Sequence, residues 1–416
     1  MPTLASLMPM LRPAAALLVI VAAASRVHAA DDAHAALFKP ALVYDGAAFT
    51  SLGGGAERGS TYSSNLHLQL TVDPSRYDTI GYVDALWLTG GNPSRYVGDA
   101  QGVSSISGPA AAKIYEAWIQ TNSPGNHASF LVGLYDLNTE FYRLQSSALF
   151  FNASFGIGPE FAQSGVAGPS IFPDTSLGLR AAAKPIEGCV LRMAVLDGVP
   201  FERPDGGHHP FASGDGVLVV GEVAFLDRAR ESMRPANGKL RLGRNAQLGN
   251  YDTKLAFGAW RYTGTFADLS ETDAAGRPTM HHGSSGFYAI GDRMLYRRGD
   301  DGTRVNGFVQ AGVGDARVNR FGSYLGAGIT VAGLVPARAD DEAGLAVAYA
   351  RNGSHYLASQ LPGTATNAET AIELTYLVQA TSWLAVQPDL QYVVHPGTST
   401  AIPNAWAFQV RFESSF

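Results

Sequence analysis

Alternation with a period of two runs through this chain. In Ala405–Phe416 (AWAFQVRFESSF), Trp406, Phe408, Val410, Phe412 and Phe416 are large and apolar. Between them, Ala405, Ala407, Gln409, Arg411, Glu413 and Ser415 are small or polar. Side chains on a strand point to opposite faces in turn, so this segment predicts a strand with one apolar and one wet face. In Asn65–Asp73, Leu66, Leu68, Leu70 and Val72 oppose Asn65, His67, Gln69 and Thr71. In Thr370–Gln379, Ile372, Leu374, Tyr376 and Val378 oppose Glu373 and Thr375, and in Trp383–His395, Leu384, Val386, Leu390 and Tyr392 oppose Gln387, Asp389 and Gln391. Weaker alternation marks Lys113–Gln120, Thr175–Arg180, Val190–Val195, Lys254–Tyr262, Phe308–Val313 and Leu345–Tyr349.

Turn-rich stretches separate these segments: Gly53–Gly59, Gly90–Gly108, Pro200–Gly216, Thr272–Gly286 and Arg297–Arg304. Some connections are long and others short, as in a membrane barrel with long outer loops and tight turns at the other end. At about 24 residues per strand and connection, about 390 mature residues give about 16 strands. The predicted class is all-β, a transmembrane antiparallel up-and-down barrel.

Composition narrows the choice. Hydrophobic residues make up 46% of the chain and charged residues only 16%, against about 25% charged in an ordinary soluble domain. A soluble protein this poor in charge is short of surface. A barrel is not, because lipid covers its outer belt and each strand gives that belt only alternate residues. Beyond the N-terminal region no stretch approaches the ~18 uninterrupted apolar residues of a spanning helix. No fixed-period self-similarity supports a solenoid.

The N-terminal segment carries Arg12, an apolar run from Ala14 to Ala24, and Val27-His28-Ala29 with small residues at cleavage offsets. This predicts a signal peptide over residues 1–29 followed by a single barrel domain, 30–416. Cys189 is the one cysteine, which removes the disulfide-scaffold class for an exported chain. A net charge of −6 argues against nucleic acid as a partner.

Several of these segments resemble the OprB-type carbohydrate-selective porins. GGGAERGSTYSSNLHLQLTVDPSRY (Gly53–Tyr77) resembles that family's first hairpin. LYDLNTEFY (Leu134–Tyr142), continuing through LFFNASFGIGPEFAQSG to GPSIFPDTSLGLR (Gly168–Arg180), is similar to it in the same order. So are VLRMAVLDGVP (Val190–Pro200) and Ala368–Gly397. The resemblance implies a 16-stranded barrel in the bacterial outer membrane admitting monosaccharides and small polyols by passive diffusion, with no cofactor and no enzymatic activity. Its partners would be small sugars as permeating solutes, outer-membrane lipid and lipopolysaccharide, and the barrel assembly machinery at the C-terminal strand. Monomer and homotrimer both stay open. Asp205–Gly216 and Gly264–Gly286 look individual to this chain and are candidate extracellular loops.

A sugar pore needs charged and amide groups that replace water around sugar hydroxyls, and aromatic surface for the C–H face. Parity supplies the candidates. Glu116, Trp118 and Gln120 share one face of KIYEAWIQ; Arg180 opposes Leu177 and Leu179; Arg192 opposes Leu191, Met193 and Val195; Arg411 and Glu413 oppose the terminal aromatic stripe. A charge on the lipid face costs about 2–4 kcal/mol at mid-membrane, which turns these groups inward. Inward placement alone does not make a residue part of a constriction. Asp136, Asn138 and Glu140 occupy alternate positions in LYDLNTEFY, ahead of Arg143, either on a loop folded back into the channel or on a surface loop. Arg58, in GAERG, is a further candidate. His208-His209 and His281-His282 lack metal-ligand spacing, and His67, His127, His355 and His395 form no catalytic spacing. Asn152-Ala153-Ser154 falls in an expected strand.

Overall fold

A computed structural model describes residues 37–73, 78–200, 210–212, 214–227, 251–299, 302–336 and 338–416. The signal-peptide segment and half of Asp205–Gly216, with His208 and His209, lie outside the described residues. Among the described residues sixteen strands follow one another: β1 Phe38–Gly53, β2 Ser60–Val72, β3 Thr79–Gly90, β4 Ala111–Asn122, β5 Ala128–Tyr135, β6 Ser176–Ala183, β7 Cys189–Asp197 and β8 Val217–Asp227. They continue as β9 Thr253–Thr272, β10 Pro278–Arg297, β11 Arg304–Gly314, β12 Phe321–Ala332, β13 Glu342–Asn352, β14 Ala368–Gln379, β15 Leu384–Val394 and β16 Ala405–Ser415. Each pairs antiparallel with its neighbours in sequence, and β1 pairs with β16 to close the cylinder. Closure satisfies every strand edge, which an apolar bilayer requires because it offers backbone groups no partner.

The predicted apolar stripes form the outer face. Leu68, Ile119, Leu179, Met193, Leu345 and Leu374 are all exposed, while their inward neighbours Gln69, Gln120, Arg180, Arg192, Ala346 and Glu373 are buried. Aromatic residues gather at the ends of the strands. Tyr392 packs on Trp406 at 4.5 Å near the long loops, and Trp383 on Phe416 at 5.8 Å near the opposite rim. Such girdles match the two interfaces of a membrane.

Three local expectations change. The stretch Thr272–Gly286, read as turn and with Gly264 as a loop, is largely strand: β9 runs to Thr272 and β10 begins at Pro278. This hairpin passes beyond the apolar band at the outward-exposed Arg261, and above that level the outward positions Thr263, Thr265 and His282 are polar, so the apolar stripe that marks a strand disappears. The carboxylate of Asp268 ties it down. It takes hydrogen bonds from the amides of Ser270 and Glu271, and His281 Nε2 and His355 Nδ1 each lie 2.8 Å from one of its oxygens. His355 belongs to the helical turn Ser354–Ser359 of the β13–β14 loop. Burial raises the Asp268 pKa, but the Glu271 amide, His355, the Ser270 amide and His281 together hold it below the usual carboxylate range.

Asn152 does not sit in a strand. It caps the 3-10 turn Ala153–Phe155, its side chain accepting from the Ser154 amide. In β4 the register slips beside Asp84, leaving Tyr115 as an extra residue, so Tyr115 and Glu116 are both buried.

Candidate functional site: a loop-lined lumen

The bore is not an open tube. After Tyr135 the chain turns inward, and residues 136–175 fold inside the barrel before β6 begins. Leu137, Phe141, Tyr142, Phe151, Phe155 and Phe161 are each fully buried there. A segment this rich in large apolar side chains cannot lie in water without cost, so it packs on the aromatic part of the inner wall. Phe161 stacks on Trp260 of β9 at 5.0 Å with the rings nearly parallel, while Tyr142 packs tilted against Tyr288 of β10 at 4.4 Å and Phe150 against Phe308 of β11 at 5.7 Å. The wall makes room with glycine: a Cβ on Gly344 of β13 would run into Leu149 and Phe150.

A loop without regular pairing buries backbone groups that need partners. Inward carboxylates supply them. Glu222 of β8 accepts from the Tyr142 amide at 2.9 Å, Asp292 of β10 from Ser146 at 2.9 Å, and Glu373 of β14 from Phe151 and Asn152 at 2.5 and 2.9 Å. Wall amides serve the carbonyls: Gln310 donates to Phe155 O at 3.0 Å and Gln387 to Leu149 O at 2.9 Å. The β3–β4 loop enters in the same way, with Glu369 accepting from Ala100 and Gln101, and Gln391 and Gln409 donating to Val103 O.

Beneath the larger loop runs a chain of charges. Arg180 of β6 reaches Glu140 at 2.7 Å and also donates to Gln120 Oε1 at 2.6 Å. Arg192 of β7 lies 4.0 Å from Glu140 and 3.3 Å from Glu222, and Lys254 of β9 lies 4.0 Å from Glu222. Tyr135 OH donates to Glu140 as well. These groups are buried almost completely, and each charge has an opposite partner, the condition under which buried ions are tolerated.

On the other side of the loop is a cavity of about 500 Å³. The β1–β16 seam contributes Asp45, Arg411 and Glu413; the inserted loop contributes Asp136, Asn138 and Arg143; Ser105 and Phe172 also line it. Asp45 and Glu413 are direct cross-strand partners, as are Ala47 and Arg411. Like charges placed opposite each other oppose strand pairing on their own. The Arg411 guanidinium donates to Ser105 Oγ at 3.0 Å and lies over the Phe151 ring at 4.0 Å. Asp136 accepts from Tyr115 OH and from the Asn138 amide at 2.8 Å; burial raises its pKa against these hydrogen bonds.

The sequence candidates therefore divide. Asp136, Asn138, Arg411 and Glu413 come together around the cavity. Arg180, Arg192, Glu140 and Gln120 join the network under the loop. Glu116 accepts from the Asp136 amide at 3.1 Å and from Trp118 Nε1 at 3.3 Å, while Trp118 stacks on Tyr82 at 5.0 Å. Arg58 is exposed in the β1–β2 turn, its guanidinium donating to Leu52 O at 2.5 Å, away from the cavity. Asp45 is a cavity residue that sequence reading left out. Its signal is parity in LVYDG, where Val43 and Asp45 alternate with Leu42 and Tyr44, but with apolar residues on both faces the strand is easily overlooked.

A model of the carbohydrate-selective porin, OprB family, matches residues 82–416. Porin B of Pseudomonas aeruginosa is 25% identical over 164 residues, covering 36% of this chain and 35% of that protein, so the match spans about a third of the relative's length. Among solved structures, OprB of Pseudomonas putida in its high-pH form superposes with a TM-score of 0.75 at 19% identity, over 91% of this chain and 94% of that one. The outer-membrane channel DcaP of Acinetobacter baumannii gives 0.52 at 9% identity, over 91% and 97%. At these identities the likeness speaks for the fold, a porin barrel. With the family model matched over most of its length, the chain belongs to the OprB family of carbohydrate-selective porins of the Gram-negative outer membrane.

Proposed function

We propose that the protein passes monosaccharides and small polyols across the outer membrane by passive diffusion, without chemistry and without a cofactor. The observation that carries this reading is the cavity of about 500 Å³ between the seam and the inserted loop, within the usual range for a small-molecule site. Asp45, Asp136 and Glu413 offer acceptors to sugar hydroxyls, Arg143, Arg411 and Asn138 offer donors, and Phe172 offers a face for C–H groups. Contacts of this kind are weak enough singly for a solute to leave as readily as it enters. Arg180, Arg192, Glu140, Gln120, Glu116 and Trp118 act on solutes at one remove, by setting where the loop stands. The mature chain would start after Ala29, form one barrel, meet lipid and lipopolysaccharide on its outer face, and engage the assembly machinery through β16.

Liposome swelling tests the central claim. Vesicles carrying the purified protein should swell rapidly in glucose-sized solutes and slowly in oligosaccharides. Swelling indifferent to solute size and chemistry would reduce the protein to a general pore. N-terminal sequencing of protein from outer membranes tests the cleavage site.

A further inference from the structure

The short helix Pro159–Ala162 of the inserted loop stands between the cavity and the wall. Pro159 and Ala162, with Gln163 beyond them, line the cavity. Glu160 is fully buried and abuts β11, where a Cβ on Gly312 would collide with its carboxyl group. Only glycine at 312 leaves space for it. Tyr142 OH donates to Glu160 Oε1 at 3.1 Å, and Oε2 is buried without a hydrogen-bond partner.

Among the described residues no cation lies beside this carboxyl group. Tyr142 comes from the loop itself, Tyr324 from β12 with its hydroxyl buried and unpartnered, and Tyr288 from β10 stacks on Tyr142. β11 presents Gly312 and Gln310, neither of which ionises. Behind these stand further carboxylates, Glu222 bonded to Tyr288 OH at 2.8 Å and Glu373 under the loop backbone, with Arg192 committed to Glu222 and Glu140. A buried carboxylate with no cation beside it is costly, whereas the neutral acid is not.

We propose that Glu160 is a proton-controlled pin: protonated, it seats the helix Pro159–Ala162 against β11 and β12, and ionised, it drives that helix off the wall and reshapes the cavity. Burial, partly countered by its own amide and Tyr142, lifts its pKa to about 7. An acid whose pKa is raised in the seated state binds its proton more tightly there. Seating is therefore strongest below the ordinary carboxylate pKa and weakens as pH rises. The unseating constant should climb about tenfold per pH unit from about 4.5 to about 7 and then level off. The device works for any solute, because it moves the wall of the passage.

Single-channel ion conductance of the full protein in planar bilayers, from pH 5 to pH 8.5, tests this. Wild type should change its mean conductance and its fluctuations across that range. Glu160→Gln, neutral and nearly isosteric, should hold the low-pH behaviour throughout. Tyr142→Phe, which removes the hydrogen bond favouring the charged form, should move the midpoint to higher pH. A wild-type channel indifferent to pH, a Glu160→Gln channel with the wild-type dependence, or an unmoved midpoint in Tyr142→Phe would each overturn the proposal. Heat-modifiable migration on gels confirms that each variant is a folded barrel before it is measured.

Discussion

Two arcs of the inner wall carry the same kinds of residue to different ends. From β6 to β15, inward Glu, Asp, Arg and Gln side chains are covered by the inserted loops and serve as partners for loop backbone or for one another. At the β16–β1 seam, Asp45, Arg411 and Glu413 face the cavity. An inward charge in a barrel is therefore not by itself part of the solute path. What stands in front of it decides. On the covered arc, charge holds a loop in place; at the seam Arg411 touches the loops at Ser105 and Phe151 and also borders the cavity.

Substitutions should separate the two arcs. The largest effect belongs to Arg180→Ala, which strands Glu140 under the loop with its closest cation gone. A broken buried pair costs about 3–5 kcal/mol, to be read as a fall in the thermal unfolding midpoint in detergent. Next comes Glu373→Ala, which orphans the amides of Phe151 and Asn152 at about 1–3 kcal/mol each. Its signature should be a larger conductance and a larger solute cutoff in swelling assays, with the barrel intact. At the seam, Arg411→Ala removes the hydrogen bond to Ser105 and the contact with the Phe151 ring, so it should lower the unfolding midpoint, though less than Arg180→Ala, and also shift ion selectivity toward cations and weaken block by sugars. A large stability loss in Arg411→Ala with unaltered permeation would erase the distinction.

The smallest effect is expected at the outer rim. Asp268→Asn should loosen the Ser354–Ser359 turn by about 1 kcal/mol or less, seen as faster amide exchange there. Because the Asp268 pKa is depressed in the fold, its contribution is full above about pH 4 and is lost only as pH falls through the lowered value. Exchange at this turn should accordingly be insensitive to Asp268 protonation near neutral pH and rise in strong acid.

Much of the cylinder was legible because lipid on one side and polar groups on the other impose a strict period of two. Glu373, Arg180, Arg192 and Glu413 all fall on the face that parity assigns. The rule fails where its physical cause is missing. Above Arg261 the outer face of the β9–β10 hairpin no longer meets lipid, so its Gly, Ser, Thr and His residues read as turn. Inside the barrel, the segment from Asp136 onward has no regular period. Its alternate polar residues lie in a 3-10 turn, where Asp136 caps the Asn138 amide and spacing by two says nothing about faces. Parity gives a side but not an opposite neighbour, which is why Arg180 and Arg411 look equivalent in the sequence and are not in the fold.

The seam has a consequence for how such a channel comes into being. Its two strands are the first and the last of the sixteen described strands, so their pairing joins partners far apart in sequence and must await the last of them. The seam residues that border the cavity, Asp45 of β1 with Arg411 and Glu413 of β16, meet only at that moment. A sheet still open at this seam offers no finished route for solutes, and permeability arrives together with the last zipper of hydrogen bonds.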